Sequence, residues 1–313
     1  MQHVVIGTRG SQLALWQADW VQAELSARFP ELTFSQKKIS TTGDKILDSP
    51  LAAIGDRGLF VKEIELALEN GEIDLAVHSM KDVPTSLPPN LTISAISRRE
   101  DPRDVLISTK WGGLFDLPPG ARVGTSSLRR IAQLKAVRPD LVFEPIRGNI
   151  GTRLRKLTEL DLDAIILAAA GVSRLGWAEQ ITEYLPIEVS LPAVGQGALG
   201  IETRADDDRI IKIVRALHDP ATAASVEAER AFLAQLEGGC QVPIGALAQV
   251  DGDEVHLEGV IASVDGSQVY RGYERGPTGC ASQVGEALGR RLCEKGAQSV
   301  LDELRQLKER DDA

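Results

Sequence analysis

The chain has 313 residues, 43% of them hydrophobic and 26% charged, with a formal net charge of −10. That length exceeds one typical core and fits two or three domains of ordinary globular composition. So acidic a field repels nucleic acid in general, and no stretch approaches the roughly 18 consecutive apolar residues of a membrane span.

The chain opens on the strand "HVVIGT", and "MQHVVIGTRG" has no basic region leading into an apolar one, so it does not read as a signal peptide. "SQLALWQADWVQAELSARF" reads as a helix, with Leu13, Trp16, Trp20 and Ala23 at helical spacing. After the strand "LTFSQKKI" comes "TTGDKILDSPLAAIGDRGLF", long and mixed enough for a mobile lid over residues 42–60. "LFVKEIELALEN" is a helix closed by Gly71, and "IDLAV" is a buried strand. "DVLIST" begins a second unit, continued by strand "ARVGTS", helix "LRRIAQLKAV", strand "LVFEPI", helix "NIGTRLRKLTEL" and strand "DAIILAA". This alternation predicts two α/β domains with mainly parallel sheets, whose ligand crevice lies at the carboxyl ends of the strands. Beyond "LPAVGQGALGIETR" and the helix "RIIKIVRAL", the pattern changes at "HDPATAA". A helix "SVEAERAFLAQLEGG", three alternating strands with DG turns and a long terminal helix then predict a small α+β domain from about residue 218.

The residues that can carry chemistry gather in strand-to-helix turns. "IDLAVHSMKDVPTSLPP" sets His78, Ser79, Lys81 and Asp82 directly after a buried strand. A Lys–Asp surface pair there would be worth little, whereas a carboxylate leaving the end of a buried strand suits a developing cation. "VGTSSLRR" sets Thr125, Ser126 and Ser127 before a helix with Arg129 and Arg130 in its first turn. Arginine in a first turn opposes the helix dipole unless an anion sits there. "IRGNIGTRLRK" repeats the device with Arg147, Gly148, Asn149 and Arg153, and "TRGSQLA" with Arg9 and Ser11. Arg155 and Arg174 lie in the same neighbourhood of the sequence. Each arginine alone fits an exposed partner for Asp or Glu, but the cluster in small-residue loops points to a small ligand bearing several carboxylates. The cysteines Cys240, Cys280 and Cys293 are odd in number and lack CxxC spacing, which argues against a disulfide framework and a zinc site and for a reducing cytoplasm. Cys240, on the Gly-Gly turn of "LEGGCQVPIGA", is unlike a structural cysteine inside an apolar run. On the residues alone, a solute-binding protein and a cysteine hydrolase are both open readings. The hydrolase needs a partner from His3, His78, His218 or His256, none of which stands in a diagnostic motif.

In order along the chain, "GTRGSQLAL", "AVHSMKDVP", "GTSSLRR", "IRGN", "LPAVGQGALGIE" and "EGGCQVPIGA" resemble the porphobilinogen deaminases, or hydroxymethylbilane synthases, over residues 1–313. The resemblance implies two α/β domains like type II periplasmic binding proteins and a small α+β domain with an open-faced antiparallel sheet. The domain limits expected are 1–98 with 198–217, 99–197, and 218–313. It implies a dipyrromethane cofactor held by a thioether at Cys240, with Lys81, Asp82, Thr125, Ser127, Arg129, Arg130, Arg147 and Gly148 around it. Arg9, Ser11, Ser79, Arg147, Arg153, Arg174 and Gln196 are the implied substrate contacts, and Asp82 the catalytic carboxylate. The implied reaction joins four porphobilinogens head to tail with loss of ammonia. Residues 42–60 are poorer in lysine than the family pattern suggests, with Lys45 and Arg57. The expected partner is a small-molecule substrate alone, with no metal, nucleic acid or membrane, bound by a monomer.

Overall fold

The computed structural model describes residues 2–45, 61–236 and 242–311. Most of the expected lid and the whole turn carrying Cys240 lie outside the described residues.

The first lobe begins with β1 (Gln2–Thr8), α1 (Gln12–Arg28) and β2 (Leu32–Lys38). Ser11 caps α1, its hydroxyl accepting the Ala14 N–H at 3.3 Å. Then come α2 (Thr42–Lys45), α3 (Lys62–Glu69), β3 (Leu75–Ser79) and β4 (Leu91–Ile96). The chain crosses over to β5 (Asp104–Ile107), β6 (Arg122–Gly124), α4 (Leu128–Val137), β7 (Val142–Glu144), α5 (Ile150–Glu159), β8 (Ala164–Ala168), α6 (Ala169–Arg174) and β9 (Glu183–Tyr184). It then returns to the first lobe with β10 (Leu199–Arg204) and α7 (Asp208–Val214).

The two five-stranded sheets have matching orders, β2-β1-β3-β10-β4 and β7-β6-β8-β5-β9. In each, three strands joined by helical crossovers are parallel, and the strand that enters from the other lobe is inserted antiparallel. Both lobes thus have the type II periplasmic-binding-protein arrangement. Four of the five strands in each sheet run in one direction, as the expectation of mainly parallel sheets requires, with one exception in each. β10 runs against both β3 and β4, and β5 against both β8 and β9, because a strand arriving from the neighbouring lobe enters from the opposite end. Helices cover both faces of the first sheet. Ala18, Val21 and Leu25 of α1 and Ile210 and Val214 of α7 pack on one side, with Ile64 and Leu68 of α3 on the other, all buried. Each large aliphatic side chain so buried contributes about 1.5–3 kcal/mol, and that burial holds the strand ends, and the loops leaving them, in place.

The C-terminal part is built on α8 (Pro220–Gln235), β11 (Ile244–Asp251), β12 (Glu254–Ala262), β13 (Val269–Pro277), α9 (Ala281–Leu292) and α10 (Gln298–Asp311). Its three strands form an antiparallel meander, packed through Leu257 and Ile261 on Phe232 and Leu288. Gly259 permits that packing, since a Cβ there would stand 2.7 Å from the Phe232 ring. α8 starts at Pro220, earlier than the expected Ser225. Asp219 accepts the Thr222 N–H at 2.8 Å and proline occupies the first turn, a start signal overlooked in "HDPATAA". The expected single terminal helix is two, broken at Gly296 with φ 113°.

Glu229 of α8, fully buried, ties this part to both crossover segments. Its carboxylate accepts from Arg99 at 2.7 Å, from the Gly195 N–H at 2.7 Å and from the Ala248 N–H at 2.8 Å. Among the described residues no helix is long and apolar enough to cross a membrane.

Candidate functional site

Asp82 stands where β3 leaves the first sheet. The strand ends in a single 3-10 turn, Met80–Asp82, anchored by Met80, which is buried and bonded through its N–H to the Ala198 carbonyl at 3.0 Å. Gly195 and Gly200 make room for it, since a Cβ on either would fall within 2.8 Å of the Met80 side chain. With Met80 and Val83 turned inward, the Asp82 carboxylate between them is exposed. Lys81 keeps part of its surface open and its Nζ donates to Gln196 Oε1 at 3.4 Å. Desolvation pulls the Lys81 pKa down to about 8, with Asp82 and Asp104 opposing and Arg130 and Arg129 reinforcing the fall. Ser79 accepts from the Gln17 amide at 2.9 Å, and the neighbouring strand end, after Thr8, carries Arg9 and Ser11, both partly buried.

The facing turns belong to the second lobe. Thr125 is buried, with its N–H on the Glu144 carbonyl and its hydroxyl accepting the Ser127 N–H at 3.2 Å. Ser126 donates to the Ile146 carbonyl at 2.9 Å. Ser127 is the N-cap of α4, but its hydroxyl makes no capping bond to the helix. Arg129 and Arg130 follow in the first turn, each only 5% exposed. The anion that their position demanded is supplied by the protein itself. Asp104, at the head of β5 and fully buried, accepts from Arg129 Nη1 at 2.7 Å and from Arg130 Nη2 at 2.6 Å and Nε at 3.0 Å. Ser190 and the Gln196 amide complete its shell at 2.8 and 3.0 Å. Burial alone would raise this carboxyl, yet the two guanidiniums overcome it and hold Asp104 well below the usual carboxylate range. Burial likewise lowers Arg129, against the pull of Asp104.

Gln196, placed by sequence among substrate contacts, is buried, and its side chain is engaged on three sides. Its amide donates to the Pro102 carbonyl at 2.7 Å and to Asp104, and its carbonyl accepts from Lys81. It links the segment of Asp82 to the arginine pair.

The remaining cations are held differently. Arg147 buries an Nη1 that has no hydrogen-bond partner among the described residues. Gly148, with φ 109°, accepts Arg153 Nε at 2.8 Å through its carbonyl, and its lack of a side chain avoids a clash with Thr152. Asn149 caps α5. Arg153 has its pKa pulled down to about 10 by desolvation and by Arg130, with Asp82 opposing across the cleft. Arg174 falls to about 10 through desolvation, donates to the Gly197 carbonyl at 2.6 Å and lies 5.8 Å from the Trp16 ring of the first lobe. These guanidiniums are short of water, and Arg147 has an orphan donor, so the group fits a ligand bearing several carboxylates. The structure therefore brings Lys81, Asp82, Gln196, Arg129, Arg130, Arg147 and Arg153 together, with Arg174 at the α1–α6 contact. Arg155 is exposed, outside this set. Asp104, Ser190 and Gln133 were not foreseen. Gln133 brackets Leu191 with both ends of its amide, and the one visible signal was an aspartate heading the apolar run "DVLI".

The family model described as porphobilinogen deaminase, dipyromethane cofactor binding domain, matches residues 4–212. The one for the porphobilinogen deaminase C-terminal domain matches residues 223–294. The porphobilinogen deaminase of Geobacter metallireducens is 57% identical over 301 residues, which cover 96% of this chain and 94% of that one. That of Carboxydothermus hydrogenoformans is 53% identical over 304 residues, covering 97% and 98%. Among solved structures, a putative methionine-binding lipoprotein of Bacillus subtilis shares 13% identity at a TM-score of 0.44, covering 70% of this chain and 91% of that one.

Removing the charge of Asp104 should strand two buried guanidiniums. Asp104→Asn is expected to lose about 3–5 kcal/mol in urea unfolding, whereas Arg122→Ala, which breaks an exposed pair with Glu144, should lose less than about 1 kcal/mol.

Proposed function

This chain belongs to the porphobilinogen deaminase family, and we propose that Asp82 is the carboxylate through which it works. The activity is that of a hydroxymethylbilane synthase, a transferase of porphyrin biosynthesis that joins four porphobilinogens head to tail and releases ammonia. When bound, the dipyrromethane cofactor supplies the terminal pyrrole carbon from which the chain grows. We assign its thioether to Cys240 and its carboxylate arms to Arg129, Arg130 and Arg147, with Lys81, Thr125, Ser127 and Gly148 beside them. The orphan Arg147 donor supports that fit.

The observation that carries the Asp82 reading is one exposed carboxylate on a rigid turn, facing cations that other groups already restrain. As ammonia departs, positive charge develops on the substrate pyrrole, and a fixed carboxylate stabilises it without reorganising. Repeated condensation moves no part of this device, so the same residue serves each cycle. Arg153 and Arg174, with Arg9, Ser11 and Ser79 on the opposite strand ends, hold the acetate and propionate arms of the substrate. Gln196 contributes by holding Lys81. The working domains are 1–98 with 198–217, 99–197, and 218–313, in a monomer of the cytoplasm.

The active protein should weigh more than its sequence by two linked pyrrole units, and Cys240→Ser should lose both that mass and turnover; an active Cys240→Ser protein refutes the assignment. For Asp82, rates of ammonia release should rank wild type, then Asp82→Glu, then Asp82→Asn far below, with affinity little changed. Equal rates for all three remove Asp82 from the chemistry. Lys81 loses its charge as pH rises through about 8, so its hold on the cofactor's carboxylate arms weakens and kcat should fall above that pH. Lys81→Arg, charged throughout, should abolish that inflection.

A further inference from the structure

We propose that Arg230 is a positioning residue for the reaction, fixing the segment that follows Asp82 from a helix of the C-terminal part. The inference rests on Asp82 being the reacting carboxylate and Cys240 the point of cofactor attachment.

Arg230 lies on α8 and reaches across to the first lobe. Its Nη1 donates to the Val83 carbonyl at 3.1 Å, and its Nη2 donates to the Pro84 carbonyl at 2.6 Å and the Thr85 carbonyl at 3.3 Å. One planar fork thus holds three successive carbonyls immediately after Asp82, a task that the single ammonium of a lysine meets less well. Val226, one helical turn before Arg230, is buried against Met80 and Val83, the residues that flank Lys81 and Asp82. An apolar contact and a charged clamp on one helix face therefore grip both sides of the Met80–Asp82 turn. Asp82 itself, being exposed, gains its fixed position from this backbone.

The helix making the grip is itself restrained. Its N-terminus is capped by Asp219, and Glu229, adjacent to Arg230, is bonded to Arg99, Gly195 and Ala248. The same helix leads towards Cys240, which lies four residues beyond Leu236. Arg230 is about 9 Å along the axis from Leu236 at 1.5 Å per residue. One rigid rod thus runs from the segment of the reacting carboxylate to within five residues, along the sequence, of Cys240. A misplacement of about 1 Å at a reacting group is enough to cost on the order of a hundredfold in rate.

The test uses the full-length holoenzyme with Arg230→Gln and Arg230→Lys. Arg230→Gln is expected to lower kcat by roughly ten- to a hundredfold while KM changes less than about twofold, with the cofactor mass retained. Arg230→Lys, which keeps the charge but not the fork, should recover part of that loss. Backbone amides of residues 85–87 should exchange faster with solvent in Arg230→Gln, whether or not cofactor is loaded. Because Arg230 acts through Asp82, Arg230→Gln should cost much less in an Asp82→Glu background than alone. Unchanged kcat, unchanged exchange, or full additivity with Asp82→Glu each overturns the proposal. If Arg230→Gln fails to fold, Arg230→Lys decides by the same kcat and exchange readouts. Normal turnover by Asp82→Asn would remove the Asp82 reading and this inference together, whereas a crippled Asp82→Asn beside a normal Arg230→Gln removes this inference alone.

Discussion

One buried carboxylate organises the centre of this molecule. Asp104 lies between two guanidiniums that would otherwise repel each other out of water, and both of its oxygens are occupied. A desolvated ion pair survives only when geometry and further hydrogen bonds offset the loss of water, and Ser190 and Gln196 supply those bonds. Its position makes the arrangement consequential. Asp104 is the first residue of the strand that follows one crossover, while Ser190 and Leu191, bonded to Asp104 and to Arg129, lie on the other. The joint between the lobes and the floor of the site are thus one network. Lys81 enters it through Gln196, so the residue beside Asp82 and the paired arginines share a support.

The cations divide into two groups by how they are neutralised. Arg129 and Arg130 have an internal counter-charge and are fixed before any ligand arrives. Arg153 and Arg174 bond to backbone carbonyls, Gly148 and Gly197, which satisfy donors without cancelling charge. Their depressed pKa values have the same origin, removal from water without a nearby carboxylate sufficient to compensate. An incoming polycarboxylate meets preset geometry from the first group and unmet charge from the second.

Much of this was legible in the sequence, for identifiable reasons. Strand and helix positions followed from periodicity, and the turns carrying Asp82, Arg129 and Arg147 were marked by polar residues directly after apolar runs. The first-turn arginines signalled an anion, but local sequence cannot distinguish a bound carboxylate from one in the chain. Asp104, distant in sequence and heading a strand that reads only as apolar, therefore stayed hidden. The antiparallel insertion of β10 was invisible for a similar reason, since a strand pattern records burial and not direction. Gln196 lay inside a recognisable motif, yet its burial and its link to Lys81 are properties of the assembled lobes.

The insertion of β10 also orders events in time. The first sheet takes its fourth strand from residues 199–204, whereas every strand of the second sheet lies within 104–184. During synthesis the second lobe has all its strands before the first does, although the first begins the chain. β3 and β4 meanwhile present unpaired edges while the roughly 100 residues between Ile96 and Leu199 are made, about 5–20 s at 5–20 residues per second. The N-terminal lobe is the second to be completed, and slower translation lengthens the interval in which its open edges meet other chains.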